Sequence, residues 1–314
     1  MEDLFLRIVR DGTNMKLEIR KFVADDASVS YVDVGNGRPL VYINGFGEDI
    51  STAHNLIEKW SRFFRVVVFD HRGFGESDDD YEVGIDRSAR DLRILMDLLG
   101  LTNVALVAYS MGGAVAFSYI EQFGRERLER LVLADTTPKM INENGWHLGL
   151  WQGRYTRDDY ERDLKTIVDN PMLFHLSFYA RAATKSFFNC VPNNFPAYDD
   201  VVQWLECVAE ITKIRVSMVK PIFSFNLSEK KKKVERRYWE TMTGGDWRHV
   251  LKSIEIPTLC LYADPGSFYY SGTAEYMANQ VPHASALAIQ NASHVCPKEN
   301  FDDFTSKIRD FCTC

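Results

Sequence analysis

Cysteine is scarce and scattered in this chain, which has six cysteines among 314 residues and no Cys-x-x-Cys pair. No histidine lies at zinc-ligand spacing from them, so the cysteines are typical of reduced thiols, and the sequence predicts no metal and no cofactor. A chain of this length buries roughly three quarters of its unfolded surface, so it needs no disulfide for stability. Proline is limited to 10 residues while aromatics reach 13%, which excludes collagen-like and disordered classes.

Long apolar runs and excess positive charge are also missing. No segment has the roughly 18 uninterrupted apolar residues of a bilayer span, and Met1–Arg20 mixes charged and apolar residues where a signal peptide would need an apolar core. Lysine and arginine total 37 against 44 acidic residues, a net charge of −7, so no broad basic field would attract phosphates. We therefore expect a cytoplasmic protein with no membrane or nucleic-acid partner.

Short β-branched runs alternate with helical stretches along most of the chain. Leu17–Phe22 and Ser28–Val34 alternate apolar and polar residues, which predicts an antiparallel pair. Nearly continuous apolar runs follow at Pro39–Ile43, Arg65–Phe69, Val104–Tyr109, Leu131–Ala134, Thr258–Ala263 and Ala286–Ile289. Such runs are typical of parallel strands covered on both faces, and helical spacing over Ile85–Leu99 and Met111–Phe123 supplies the covering helices. The pattern predicts an α/β fold with a mostly parallel, doubly wound sheet.

One long region interrupts this alternation. Residues 138–246 contain no comparable strand-like run, but many aromatic residues on helix-like stretches. A segment this long is not a loop. We interpret it as a helical cap inserted after the sixth strand, with 1–137 and 247–314 forming the core; an independent helical domain is the alternative. Trp146 and Trp151 are candidates for walls of a substrate pocket, although tryptophans in such a region are also typical of its core.

The segment Val104–Phe117 carries the clearest chemical signal. A buried strand leads into a small-residue turn and then a helix, with Ser110 at the corner. This is a nucleophile elbow, small-x-Ser-x-Gly, in which a sharp turn raises the serine hydroxyl above the sheet edge. Ala108 and Gly112 satisfy the need for small residues on either side of the serine, and Ala108 departs from the more usual glycine. The pattern predicts a functional serine at Ser110.

With these motifs the chain resembles the α/β-hydrolase superfamily over about residues 28–135 and 247–312. The resemblance includes four further segments beside the elbow: Val41–Asp49, Phe69–Ser77, Leu131–Pro138 and Ile256–Leu259. Within the superfamily, the Asn-Gly-x-Gly loop and the Asp-Thr-Thr-Pro segment are similar to 3-oxoadipate enol-lactonase-like esterases. The resemblance implies an α/β-hydrolase fold with a cap and a serine–histidine–acid triad.

The resemblance also suggests the partners of the serine. A serine hydroxyl needs an adjacent base that is itself oriented by a third group, in the chain order serine, acid, histidine. His294 follows the last strand and is the expected base. Asp264, after the seventh strand, is the favoured acid, and Asp135, after the sixth, is the rival. The backbone N–H groups of Phe46 and Met111 are the expected donors to the oxyanion.

These residues predict a serine hydrolase that cleaves a small carboxylic ester, lactone or thioester through an acyl-enzyme. The same triad could serve an acyltransferase, a cofactor-free perhydrolase or a carbon–carbon bond hydrolase. A ligand receptor on the same fold is the alternative from another class, and its usual sign would be a broken triad. The sequence leaves the natural substrate open, as well as the choice between a monomer and a homo-oligomer.

Overall fold

The computed structural model of the protein describes residues 15–79, 82–143, 145–171, 174–175 and 228–313. Within them, eight strands form one sheet in the order β1-β2-β4-β3-β5-β6-β7-β8. The strands are Arg20–Ala24 (β1), Ala27–Val34 (β2), Pro39–Ile43 (β3), Arg65–Phe69 (β4), Val104–Tyr109 (β5), Leu128–Ala134 (β6), Thr258–Gly266 (β7) and Ala284–Ser293 (β8). β2 pairs antiparallel with β1 and β4, and all other pairs are parallel.

Helices cover both faces of this sheet. They are His54–Trp60 (α1), Ile85–Leu98 (α2), Met111–Phe123 (α3), Arg157–Asp169 (α4), Glu229–Thr243 (α5), Ser271–Gln280 (α6), Cys296–Glu299 (α7) and Phe301–Thr313 (α8), with short helical turns at Leu150–Gly153 and Leu251–Ser253. The predicted doubly wound, mostly parallel α/β fold is therefore confirmed.

The alternation of side chains along each strand divides the core into two layers. Val41 and Ile43 of β3 belong to the apolar cluster that includes α2, α3 and α6. Leu40 and Tyr42, one residue out of phase, belong to the cluster that includes α1 and α8. Burial on both faces explains why this strand is a continuous apolar run in the sequence.

The strand bounds differ from the predicted ones at β1, β2, β6, β7 and β8. β1 is Arg20–Ala24 where the alternation predicts Leu17–Phe22, because a two-residue turn at Asp25-Asp26 joins Ala24 directly to Ala27. Asp25 adopts a positive φ of 54° there, a conformation that aspartate tolerates in tight hairpins. β7 continues three residues beyond the predicted Ala263, a difference that matters for the site.

The region predicted as a cap is described only in part. Helices α4 and α5 lie between β6 and β7 in the chain and pack against each other, and α5 also contacts α2. Residues 176–227 lie outside the described residues, so the cap boundaries 138–246 stay a prediction. Among the described residues, no helix has both the length and the apolar character needed to cross a membrane.

Candidate active site

Ser110 lies at a strained corner between β5 and α3. Its φ of 54° and ψ of −116° place a non-glycine residue in a sparsely populated region, at a cost of about 1–3 kcal/mol that the surrounding structure must offset. Its N–H donates to Ala134 O on the neighbouring strand, at 2.9 Å. A Cβ atom at Gly112 would lie 2.5 Å from Ile43 O, which explains the need for glycine where the helix passes over β3. The turn has the geometry that the elbow motif predicts.

His294 reaches Ser110 from the end of the last strand. It directly follows β8, and its Nε2 lies 2.9 Å from Ser110 Oγ. Both side chains are buried, with relative exposures of 3% for His294 and 7% for Ser110. The structure therefore brings together the serine and the histidine that the sequence pairs.

The carboxylate on the other side of the imidazole belongs to Asp135. Asp135 Oδ2 lies 2.5 Å from His294 Nδ1. Its second oxygen, Oδ1, accepts the N–H of Ala263 at 3.0 Å, and the N–H of Asp135 donates to Leu261 O at 2.8 Å. These contacts hold the carboxylate between β6 and β7, where it fixes the orientation of the imidazole.

The expectation that Asp264 contacts His294 is wrong, and the strand register gives the reason. Tyr109, the last residue of β5, pairs with Ala134, the last residue of β6. Ser110 and Asp135, which follow them, therefore lie at the same level of the sheet. Ala134 in turn pairs with Leu261, which puts Asp264 two residues further along the sheet than the level of Asp135. Asp264 is still within β7, where it pairs with Gln290 of β8.

Aromatic rings surround the His294 imidazole. The Phe268 ring is nearly parallel to it, with centroids 3.8 Å apart, and the Tyr109 ring lies at 5.5 Å. The Tyr109 hydroxyl donates to His294 O at 2.6 Å, and burial raises the pKa of Tyr109 well above its usual range, so the hydroxyl stays protonated. These packing residues were not predicted from the sequence, because Phe268 lies in no motif and Tyr109 matches the elbow pattern only as a variable position.

The two expected oxyanion donors lie at the same sheet edge as Ser110. Met111 is the first residue of α3, and Phe46 belongs to the segment 44–48, which we call the oxyanion loop and which follows β3. β3 is the neighbour of β5, with Ile43 opposite Ala108. Phe46 is buried, and its ring meets Trp239 of α5 at 5.5 Å between centroids. Their roles as donors stay a prediction.

Asn44 begins the oxyanion loop and is fully buried. Among the residues that the structure describes, both polar atoms of its side chain lack a hydrogen-bond partner, as does the Thr136 hydroxyl. Unpaired buried polar groups cost about 1–3 kcal/mol each and are uncommon, so their presence is informative. A polar substrate group that reached this carboxamide would gain a hydrogen bond without breaking an existing one.

The two candidate tryptophans have different surroundings. Trp146 donates its Nε1–H to Lys139 O at 3.0 Å and packs edge-on against Tyr276 of α6, which is the environment of a structural residue. Trp151 lies in the turn Leu150–Gly153 and contacts Phe268 at 4.5 Å between ring centroids. Because Phe268 covers His294, Trp151 lies one ring away from the site; a pocket role for either residue stays a prediction.

Other ionisable groups lie near the site, among them the Cys296 thiol. In the described part of the chain, no group of three or more histidine, cysteine, aspartate or glutamate residues is arranged to hold a metal ion. Burial raises the pKa of the Cys296 thiol well above its usual value, so this neighbour of the site is a neutral thiol near pH 7. Ser110, His294 and Asp135 have the relative positions of a nucleophile, a base and an orienting acid.

Comparison with known proteins identifies the family. The chain belongs to the alpha/beta hydrolase fold family, whose sequence profile matches residues 38–301. A putative non-heme chloroperoxidase from Synechocystis sp. is 32% identical over 168 residues, which cover 51% of this chain and 56% of the relative. The matched region thus spans about half the length of that curated relative.

Solved structures extend the likeness over nearly the whole chain. An esterase (EaEST) from Exiguobacterium antarcticum superposes with a TM-score of 0.72 at 20% identity, covering 96% of this chain and 100% of the esterase. The enol-lactonase from Burkholderia xenovorans LB400 gives a TM-score of 0.69 at 19% identity, covering 94% of this chain and 100% of the lactonase. At these identities the likeness shows the fold.

Proposed function

We propose that the protein is a serine hydrolase that cleaves a small carboxylic ester, lactone or thioester through an acyl-enzyme. The observation that carries the proposal is the continuous chain of contacts from Ser110 Oγ through His294 to Asp135, at 2.9 and 2.5 Å. Hydrogen-bond distances of this kind between nucleophile, base and orienting acid are the diagnostic geometry for serine catalysis.

The contacts also define the direction of proton transfer. Asp135 accepts a hydrogen bond from the N–H at His294 Nδ1, which leaves Nε2 unprotonated and able to accept the Ser110 hydroxyl proton. As Ser110 Oγ bonds to the substrate carbonyl carbon, that proton moves to Nε2, and the carbonyl π electrons move to the oxygen. The collapse of this intermediate expels the alcohol, which takes the proton from His294. Water, activated by the same imidazole, then hydrolyses the acyl-enzyme.

The developing oxyanion needs donors that are already in place. We assign this role to the N–H groups of Met111 and Phe46, with help from the positive N-terminal end of α3. The loss of one such donor costs about 10²–10³-fold in kcat in comparable sites. The donors are backbone groups, so the presence of asparagine at position 44 does not remove them.

The surroundings of the site favour a small substrate of low charge. Buried aromatic rings lie close to the oxyanion loop and the imidazole, among them Phe74, Phe174, Trp239 and Phe268. The net charge of −7 opposes the approach of polyanions. The names of the esterase and the enol-lactonase with the same fold agree with an ester or lactone as the bond cleaved.

A fluorophosphonate probe tests the proposal directly. The probe should label wild-type protein at Ser110, as located by peptide mass spectrometry, and Ser110→Ala should remove the labelling and the hydrolysis of p-nitrophenyl acetate. Ser118→Ala is a matched control, since Ser118 is a buried serine of α3 that hydrogen-bonds Asp86. A wild-type protein that is folded, unlabelled and inactive on a panel of esters, thioesters and lactones would point to the ligand receptor instead.

Transfer of the acyl group to hydrogen peroxide is the second candidate. It is favoured by the name of the curated relative, a putative non-heme chloroperoxidase. In this reaction hydrogen peroxide takes the place of water, and its oxygen bonds to the acyl carbon while its proton moves to His294. The bond between the acyl carbon and Ser110 Oγ then breaks, Oγ takes the proton back from His294, and the peracid leaves. Peracid formed from an ester and hydrogen peroxide, and abolished by Ser110→Ala, would favour this activity. Transfer of the acyl group to an alcohol tests the acyltransferase alternative. Cleavage of a carbon–carbon bond in a diketone substrate tests the carbon–carbon bond hydrolase alternative.

A further inference from the structure

A buried hydrogen-bond chain leads from the oxyanion loop to helix α5. His71 Nε2 lies 3.4 Å from Asn44 O, and His71 Nδ1 lies 3.0 Å from Ser88 Oγ on α2. Ser88 Oγ lies 3.1 Å from the hydroxyl of Tyr238 on α5. All four residues have a relative exposure of 0%. Because no bulk water reaches these bonds, each link is stronger than it would be at the surface.

The chemistry of the groups gives every bond in this chain a single direction. Asn44 O is a carbonyl and can only accept, so the hydrogen of His71 is on Nε2. Burial lowers the pKa of His71 to about 4, so the imidazole is neutral near pH 7 and Nδ1 accepts from the Ser88 hydroxyl. Ser88 Oγ then accepts from Tyr238, whose pKa burial raises above the usual range. The order of donation is Tyr238, Ser88, His71, Asn44.

Glu48, the last residue of the oxyanion loop, forms two hydrogen bonds within the loop. The Gly45 N–H donates to Glu48 Oε2 at 3.1 Å, and the Glu48 N–H donates to Gly45 O at 3.2 Å. The peptide unit between Asn44 and Gly45 is therefore held both at its oxygen, by His71, and at its N–H. The next peptide unit, between Gly45 and Phe46, is held at its oxygen. Because a trans peptide is planar, the position of that oxygen determines the direction of the Phe46 N–H.

We propose that Tyr238, Ser88 and His71 are positioning residues that orient the Phe46 N–H towards the oxyanion. They act together with Glu48, which holds the N–H and the oxygen of Gly45. This inference rests on the proposed function, because it assigns Phe46 to the oxyanion hole. It also connects α5, a helix of the predicted cap, to the reacting centre, since Tyr238 reaches the oxyanion loop through only two intervening side chains. A displacement of the donor by about 1 Å costs on the order of 10²-fold in rate.

His71→Leu, Ser88→Ala and Tyr238→Phe each remove one link of the hydrogen-bond chain, and His71→Gln is a conservative variant that keeps the link. His71→Leu removes the donor to Asn44 and should lower kcat for p-nitrophenyl acetate by about 10–100-fold with little change in KM. His71→Gln keeps an N–H donor and should recover much of that loss. Tyr238→Phe removes only the terminal hydroxyl and should lower kcat by about 3–10-fold, an effect that vanishes when Ser88→Ala has already broken the chain.

Inhibition by a trifluoromethyl ketone separates positioning from general damage. Ser110 Oγ bonds to the ketone carbon, its proton moves to His294, and the resulting oxyanion occupies the same hole as the reaction intermediate. Across His71→Leu, Ser88→Ala and Tyr238→Phe, the inhibition constant of the ketone should rise by the same factor as kcat/KM falls. Thr241→Val is the matched control, because Thr241 Oγ1 accepts the Ile85 N–H at 3.2 Å. This bond also links α5 to α2, but it is not part of the hydrogen-bond chain from Tyr238 to Asn44.

The outcomes distinguish this inference from the proposed function. Wild-type protein that is not labelled by fluorophosphonate overturns the proposed function. Labelled and active wild type, with Tyr238→Phe and Ser88→Ala both folded and equal to Thr241→Val in kcat and in ketone inhibition, overturns the positioning role. Melting curves establish folding, and the tyrosine and serine variants decide the matter even if His71→Leu does not fold.

Discussion

At the residue scale, Asp135 and Asp264 differ in one contact that matters. Asp135 Oδ2 lies 2.5 Å from His294 Nδ1, whereas Asp264 is a half-buried residue within β7. An orienting acid holds the imidazole in the tautomer that accepts the serine proton, and its amide variant favours the wrong tautomer. The position of a carboxylate relative to the elbow strand therefore decides which of two similar residues can contact the imidazole.

Replacing each carboxylate by its amide tests this difference. Asp135→Asn should lower kcat for p-nitrophenyl acetate by about 10³–10⁴-fold, since the geometry is kept while the tautomer changes. Asp264→Asn, the matched control, should leave kcat within a few-fold of wild type. Steady-state kinetics on both purified variants provides the measurement, and a reversed order of effects would restore Asp264 as the acid.

His71 makes a second prediction at this scale, on the dependence of stability on pH. Burial holds the pKa of His71 at about 4 in the folded protein, whereas an unfolded histidine titrates near 6.5. Between these values the unfolded chain binds a proton that the folded chain does not, so the free energy of unfolding falls as pH is lowered from about 6.5 towards 4. The full effect is roughly 3 kcal/mol.

His71→Gln removes this titration while keeping a donor to Asn44. Denaturant unfolding at pH 4.5 and at pH 7 should therefore show a smaller difference in unfolding free energy for the variant than for wild type. His283→Gln serves as the control, because His283 is exposed and lies immediately before β8. An unchanged pH slope in His71→Gln would show that His71 is not held neutral by the fold.

At the scale of elements, the elbow depends on how closely α3 crosses β3. A Cβ atom at Gly112 would meet the backbone oxygen of Ile43 at 2.5 Å, and backbone cannot move aside as a side chain can. The strained φ of Ser110 is maintained by this same packing. The elbow is therefore a product of two elements, a strand that ends at Tyr109 and a helix that must begin at Met111.

Gly112→Ala should destabilise the protein by about 1–3 kcal/mol and lower activity together with stability, because the turn must shift to admit the methyl group. Gly272→Ala is the matched control. Gly272 lies in α6, where the nearest described atom to an added Cβ is Leu148 Cδ2 at 3.9 Å, so the substitution should be neutral or stabilising. Thermal unfolding and esterase assays measure both effects. Equal stability of the two variants would argue against a tight elbow.

At the scale of the whole molecule, charge distinguishes among substrates. A net charge of −7 repels anionic substrates during encounter, and salt screens that repulsion. For matched esters, kcat/KM should rise with ionic strength for one that carries negative charge on the acyl group and stay nearly constant for a neutral one. Progress curves in 20 and 200 mM salt give the comparison. A fall with salt for the anionic ester would indicate a positive local field at the site.

The sequence by itself determined the alternation of strands and helices, the elbow at Ser110 and the histidine after the last strand. These are local patterns. A continuous apolar run is typical of a parallel strand buried on both faces, and small residues around a serine between a strand and a helix are typical of a nucleophile elbow. The three central strands β3, β4 and β5 accordingly have the bounds that their apolar runs predict.

Only the tertiary structure decided which carboxylate meets the imidazole and what holds the oxyanion loop. The choice between Asp135 and Asp264 depends on the register between β5, β6 and β7, and no single strand carries that information in its own sequence. The chain from Tyr238 to Asn44 joins residues as far apart as 44 and 238, through side chains that meet only when α2 and α5 pack. Contacts between distant segments follow from packing, which local patterns do not encode.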